Sequence, residues 1–330
     1  MKRPLAGNLK QLALFPKKVA HSVTVSIKRD WRLWVLILPL LVWLFFYAIR
    51  PLYGIWIAFL EYSPFKGIEG STFVGLDNFR DLMFGPSSNL FWRAFKNTVI
   101  ISLYGLVIGF PVPIILAVLF HEIRNNKYRK FIQTVTYAPH FISEVIVCSL
   151  VLTVLALNTG LINVLLENLF RLFGADYEQI HFMAKSEYFR GIYTLSGIWK
   201  EAGFGSIVFF SALCGIPPEL YEAARVDGAG RFRQILHISL PGIKSTIVIM
   251  LIIRIGNILN VGYEKVLLLY NPGIYDTADI LSTFTYRMGV ANNPNYGYST
   301  AASLMNSVIG FIMVIAANRI SKKYSETSLW

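Results

Sequence analysis

Apolar residues gather along this chain into six stretches of about twenty residues or more, set apart by polar connections rich in Gly and Pro. They run from Leu33 to Leu60, Phe95 to Phe120, Phe131 to Leu157, Tyr188 to Cys214, Leu240 to Tyr263 and Ser299 to Asn318. At about 1.5 Å of rise per residue, roughly 20 apolar residues cross the hydrocarbon of a bilayer. The pattern therefore predicts an all-α, polytopic membrane protein of six transmembrane helices. Pro39 and Pro51 predict a tilt or kink in the first, with Arg50 snorkelling to an interface. The segment before it, residues 1–30, is basic and broken by Pro4 and Pro16, and its apolar residues are too scattered for a cleavable signal. Leu9 to Ile27 is expected either as an interfacial helix or as a disordered tail. The resulting domain reading is an N-terminal segment over 1–30, a six-helix domain over 31–320 and a tail over 321–330.

Composition agrees with a bilayer as solvent. Of 330 residues, 55% are hydrophobic and 15% charged, and the mean hydropathy is +0.51, which argues against two soluble domains. The net charge of +12 would suggest nucleic acid in a soluble chain. Here the cations alternate between connections. Lys2, Arg3, Lys10, Lys17, Lys18, Lys28, Arg29 and Arg32 precede or open the first span, and Arg124, Lys127, Arg129 and Lys130 follow the second. Arg225, Arg231 and Arg233 follow the fourth, and Arg319, Lys322 and Lys323 follow the sixth. The connection from Asn158 to Glu187 carries more acid than base, and that from Glu264 to Tyr298 is nearly neutral. The positive-inside rule then puts both termini in the cytoplasm. The long outer connections, Glu61 to Ala94 and Glu264 to Tyr298, hold Pro, Gly and aromatic residues and are expected as compact caps that an external partner can grip. Cys148 and Cys214 lie in apolar runs without metal-ligand spacing and are expected in the core. No metal site or catalytic residue is expected.

One cytoplasmic connection, Pro217 to Gly242, is organised. Pro217 and Pro218 stop the fourth span, and Pro218 suits the first turn of a new helix because its missing N–H has no partner there anyway. A helix over Glu219 to Val226, a turn over Asp227 to Gly230 with Gly228 at positive φ, and a second helix over Phe232 to Ile238 make a lever beneath the membrane. Within it, Glu222-Ala223-Ala224, then Gly228 after three residues, Ile238 after nine more and Leu240-Pro241 resemble the EAA loop of type I ATP-binding-cassette importer permeases. Ser245, where relatives often carry a second proline after Leu-Pro, is the one departure. Phe73 to Leu82, FVGLDNFRDL, is similar to the phrase after the first span of carbohydrate-uptake permeases. Tyr270 to Gly289 and Asn295 to Gly310 resemble the oligosaccharide and polysaccharide branch, of which alginate-oligosaccharide permeases are examples.

The resemblance implies that Glu222 to Gly228 is a coupling helix inserting into an ATPase, with Glu222, Ala223, Ala224, Asp227, Gly228, Ile238, Leu240 and Pro241 as the docking set. It also implies a second homologous permease subunit, two cytoplasmic ATPase subunits and an extracytoplasmic binding protein, with alternating access driven by ATP. The chain has no GxxxxGK[ST] phosphate loop, so ATP and Mg are expected on the partner ATPases and no cofactor on this chain.

Polar residues inside spans are costly and mark pathways or helix contacts. On a regular fifth span Asn257, Asn260 and Glu264 share a stripe, with Arg254 beside it and Tyr263 further round. Amides that donate and accept, a carboxylate and an aromatic ring suit a sugar; interhelical hydrogen bonding is the competing reading. In the fourth span Trp199, Lys200 and Glu201 join the candidate pathway. Lys200 and Glu201 point about 100° apart on a helix, which sets them against neutralising each other; Glu201 pairing with Arg254, or Lys200 with Glu264, both remain open. Gly105 and Gly109 permit close helix approach. The alternative to an importer is an ion-coupled secondary transporter acting alone, which calls for broken helices and related halves that are not visible in the sequence.

Overall fold

The computed structural model describes residues 29–86, 88–290 and 294–325. Leu9 to Ile27, expected on the membrane surface or as a tail, lies outside them. The chain forms two compact units, Met1–Trp56 and Ile57–Trp330. In the first, helix α1 (Trp31–Leu44) contains Pro39 and passes into a π turn (Phe45–Ile49) and then a 3-10 stretch that begins at Arg50. Trp43 stacks on Tyr47 across that transition, with ring centroids 5.9 Å apart.

The second unit is mostly helical, with one departure from an all-α chain. Leu60–Glu61 (β1) and Thr72–Phe73 (β2) pair antiparallel, Leu60 opposite Phe73. Next come α2 (Asp77–Phe84), α3 (Ser88–Tyr104), a π turn at Gly105–Gly109, and α4 (Pro111–Glu122). Asn78 on α2 donates to the carbonyls of Ala58 and Leu60, both at 3.0 Å, and ties the ladder down. After α5 (Asn126–Tyr137), a 3-10 turn (Ala138–Phe141), α6 (Glu144–Val154) and α7 (Leu161–Leu172) comes the 29-residue α8 (Ser186–Cys214). Then follow α9 (Pro218–Val226), α10 (Arg231–Gln234) with a π turn (Ile235–Ser239), α11 (Leu240–Gly242) and α12 (Lys244–Gly256). The chain continues through α13 (Tyr263–Leu269), α14 (Tyr275–Ala278), α15 (Leu281–Val290) and α16 (Tyr296–Ser325). The long connections between spans thus hold helices of their own.

Among the described residues, Trp31–Phe59, Ser88–Glu122 and Tyr296–Lys323 are helices long and apolar enough to cross a membrane. Three further candidates are bent pairs: α5 with α6 at 100°, α8 with α9 at 70°, and Arg231–Gly242 with α12 at 61°. The third and fifth apolar stretches are therefore not the continuous helices expected. In the third, Pro139 sits in the 3-10 turn, Ile142 is extended (φ −81°, ψ 136°), and Ser143 restarts the helix by accepting from the Ile146 N–H. The fifth bends at Ile243 and stops at Gly256.

Close packing holds the body together. Ala117, Phe209, Leu213 and Ile243 form one buried cluster joining α4, α8 and the start of the fifth stretch. A Cβ at Gly203 on α8 would lie 2.0 Å from the Thr136 carbonyl oxygen, so only glycine lets α5 approach α8 so closely. Cys148 is buried as expected, whereas Cys214, at the last turn of α8, is exposed. In the same unit Asp279 is fully buried, with Arg287 on it at 2.7 and 2.6 Å and Arg93 at 3.5 Å. Burial alone would depress the Arg287 pKa, but the hydrogen bonds and charge of Asp279 raise it.

Candidate functional site

Helices α3, α6, α8, α12 and α13, with the turns beside them, meet around a cavity of about 860 Å³. Seven of the eight residues expected along a pathway line it: Lys200, Glu201, Arg254, Asn257, Asn260, Tyr263 and Glu264. Trp199 does not, and is 47% exposed outside it.

The means by which they meet differs from the expected stripe. Helix α12 ends at Gly256, and residues 257–262 are a non-helical linker before α13. The Asn257 side chain donates back to the Ile253 carbonyl at 3.1 Å, competing for the ladder as short amides do. Gly256 sits where a Cβ would lie 2.8 Å from Val314 on α16, so the chain leaves the helix at a close crossing. A broken helix exposes backbone groups that need partners away from water. Ser102 on α3 donates to the Ile258 carbonyl, and the Gly262 N–H donates to the Tyr193 hydroxyl at 3.1 Å. Lys265 donates to the Tyr193 carbonyl at 2.9 Å while its ammonium lies 4.7 Å from that ring's centroid. The linker is thus held between α3 and α8, with the Asn257 and Asn260 amides exposed at its surface.

Charge pairing in the cavity also departs from both expected pairings. Lys200 pairs closely with Glu144, which the bend before α6 brings to α8. Glu201 accepts from His140 Nδ1 at 2.8 Å and lies 3.9 Å from Lys200. The expected separation of Lys200 from Glu201 is overridden because long side chains on adjacent positions can converge. His140 lies flat on Phe204, with centroids 3.9 Å apart and planes 3° apart. Glu144, Lys200, Glu201 and His140 therefore form one chain of polar contacts linking α6, α8 and the turn before α6. Among the described residues Arg254 makes no ion pair, and its guanidinium stands where a Cβ on Gly105 would lie 3.1 Å away. Gly105 and Gly109 thus face Arg254 and Ile198 of this same chain.

The connection from Pro217 to Gly242 has opposite character. Pro218 opens α9 and Gly228, at φ +76°, ends it in the left-handed region that glycine tolerates. The Ala229 N–H reaches back to the Ala224 carbonyl at 2.8 Å, and Gln234 caps Ala229 at 2.7 Å. Glu222, Ala223, Asp227, Gly228 and Pro241 are exposed, while Ala224, Ile238 and Leu240 are partly covered. Glu222 stands 4.0 Å from Arg225, both side chains more than 60% exposed.

Residues 109–326 match the family model described as binding-protein-dependent transport system inner membrane component. The chain belongs to this family. The permease is similar to the polygalacturonan/rhamnogalacturonan transport system permease protein YteP of Bacillus subtilis strain 168, 41% identical over 317 residues, 96% of each chain. It also matches a chain in the crystal structure of a bacterial ABC transporter involved in the import of the acidic polysaccharide alginate, at 41% identity and a TM-score of 0.81, covering 92% of this chain and 99% of that one. A second structure, of a bacterial alginate ABC transporter in complex with alginate pentasaccharide-bound periplasmic protein, matches at 42% identity and a TM-score of 0.81, covering 92% and 98%. The permease is a multi-pass inner membrane component. Glu144, Tyr193 and Lys265 are cavity residues that sequence reading missed in it, and His140 beside Glu201 is a fourth missed residue, next to that lining. A lone acid after a serine cap, Ser143-Glu144, was the available signal for the first.

Proposed function

We propose that this chain is the permease subunit of an ATP-driven importer that takes up oligosaccharides delivered by an extracytoplasmic binding protein. It works beside a second, homologous permease, with two ATPases docked on the loop from Pro217 to Gly242. All six apolar stretches cross the membrane, both termini are cytoplasmic, and the cavity opens alternately to the two sides as ATP is bound and hydrolysed. The observation that carries the cargo is the cavity wall at the broken fifth helix, where Asn257, Asn260, Tyr263 and Glu264 stand beside Arg254, which makes no ion pair among the described residues. Amides and a carboxylate match sugar hydroxyls, a tyrosine ring covers an apolar sugar face, and a free guanidinium can grip a sugar carboxylate. The polysaccharides named for YteP and for the alginate transporter support the same cargo class.

Broken helices favour a second reading, an ion-coupled transporter acting alone. Purification from native membrane separates the two. The importer reading expects an ATPase and a second permease to co-purify, and ATP-dependent uptake of labelled oligosaccharide by the reconstituted complex. Uptake by the lone chain, driven by an ion gradient without ATP, would overturn it.

A further inference from the structure

The face that α9 turns towards the body is narrow. Along Pro218–Val226 only Tyr221 and Ala224, three residues apart on one side of the helix, are not fully exposed. Tyr221 is the one large side chain on that face. Its hydroxyl shares a 3.0 Å hydrogen bond with the hydroxyl of Ser239, which is 1% exposed in the π turn before α11. Its ring lies against the His121 imidazole at the end of α4, with centroids 5.7 Å apart.

These contacts meet at the two places where a lever must act. Ser239 precedes the 61° bend that leads into α12, and α12 ends at the broken linker of the cavity. A Cβ on Gly242, just beyond Ser239, would lie 2.6 Å from the Ile216 side chain just after α8, so the two segments are in close contact at this corner. His121 closes the helix whose partner across the preceding π turn, α3, supplies Ser102 to the same linker. Tyr221 therefore touches both routes from α9 to the cavity, while its neighbour Glu222 faces outwards.

We infer that Tyr221 is a positioning residue that transmits movement of α9 into the fourth and fifth spans through Ser239 and into the second through His121. This rests on the proposed docking of an ATPase at Glu222. Docking belongs to the outward face and transmission to the inward one, so the two are separable by substitution.

The test uses the whole complex reconstituted with its ATPases and loaded binding protein. Tyr221→Phe removes one hydroxyl and keeps the ring; Ser239→Ala removes its partner. Each is expected to leave ATPase co-purification and basal ATP hydrolysis unchanged while uptake and its stimulation of hydrolysis fall about fivefold, the scale of one lost hydrogen bond. The double variant should fall no further than either single one, since both remove the same bond. Wild-type stimulation in both single variants would overturn the inference, as would loss of ATPase co-purification in Tyr221→Phe, which would make Tyr221 part of the docking surface. Glu222→Lys separates this from the underlying reading. Lost ATPase capture there, with wild-type coupling in Tyr221→Phe and Ser239→Ala, defeats the transmission role alone. Retained capture and uptake in Glu222→Lys defeats the docking role.

Discussion

The cavity and the Pro217 to Gly242 connection both depend on helices that stop, and they stop for different reasons. In the connection the stops are local: Pro218 begins α9, Gly228 ends it at positive φ, and backbone hydrogen bonds within a few residues complete both. In the cavity the stop is tertiary. Residues 257–262 leave the helix because Ser102 on α3 and Tyr193 on α8 satisfy the backbone that the break exposes. A local stop yields a small rigid body with outward side chains, suited to being gripped. A tertiary stop yields a wall whose polar groups face a space and whose shape follows the helices around it. The first suits docking and the second suits a site that must change.

The comparison breaks most readily at Glu144, because the cavity depends on a covered ion pair and the connection does not. Its side chain is 19% exposed and that of Lys200 13%. Removing one partner of such a pair costs about 3 to 5 kcal/mol when the other is stranded, and here Lys200 keeps only the looser contact with Glu201 at 3.9 Å, which sets the loss towards the lower end. Glu144→Ala should therefore lower the thermal unfolding temperature of the purified protein markedly, with Glu144→Met/Lys200→Met recovering most of the loss. An unchanged unfolding temperature in the single variant would reduce the pair to a surface contact. The corresponding pair of the connection, Glu222 with Arg225, is exposed, and breaking it should leave stability unmoved.

Glu222→Lys then tests function in the connection. Reversing the charge at the proposed docking face would place like charges together, which costs several kcal/mol. Uptake is expected to fall on the order of a hundredfold with the protein still present in the membrane. Normal uptake would remove Glu222 from the docking set.

What was legible in the sequence follows the same division. The connection could be read almost residue by residue, since Pro218, Gly228 and the Glu-Ala-Ala spacing act through neighbours in the chain; α9 begins one residue before the expected Glu219. Apolar periodicity located the helices but not their bends, because the 100° bend at Ile142 and Ser143 and the stop at Gly256 fall inside apolar stretches. The candidate polar residues were found for a reason that survives the loss of the stripe: each is expensive in lipid and so turns to a cavity whether or not the helix continues. Their pairings were not legible. Glu144 lies 56 residues before Lys200, and only the bend before α6 brings them together.

Within the cavity, Asn257→Leu and Asn260→Leu sharpen the contrast between wall and frame. Among the described residues the Asn257 amide donates to Ile253 and the Asn260 amide to Asn257, at 3.4 Å, and neither reaches a distant helix. Both bonds are local and exposed, so their loss costs the fold little. A missing hydrogen bond to cargo is worth about 1 kcal/mol, and uptake should weaken about fivefold through a higher half-saturating concentration, with expression unchanged. Unchanged uptake would assign the amides to ending α12.

Trp199 sets the lower bound. It neighbours Lys200 in sequence yet lies outside the cavity and is about half exposed. If cavity membership, and not position along α8, decides which residues meet cargo, Trp199→Ala should change uptake by no more than about 0.5 kcal/mol, roughly twofold, as exposed positions do. A loss as large as that of the two Asn variants would extend the pathway beyond the cavity wall to the other face of α8, and would show that the expected path through Trp199 describes the moving protein better than the cavity in this one state.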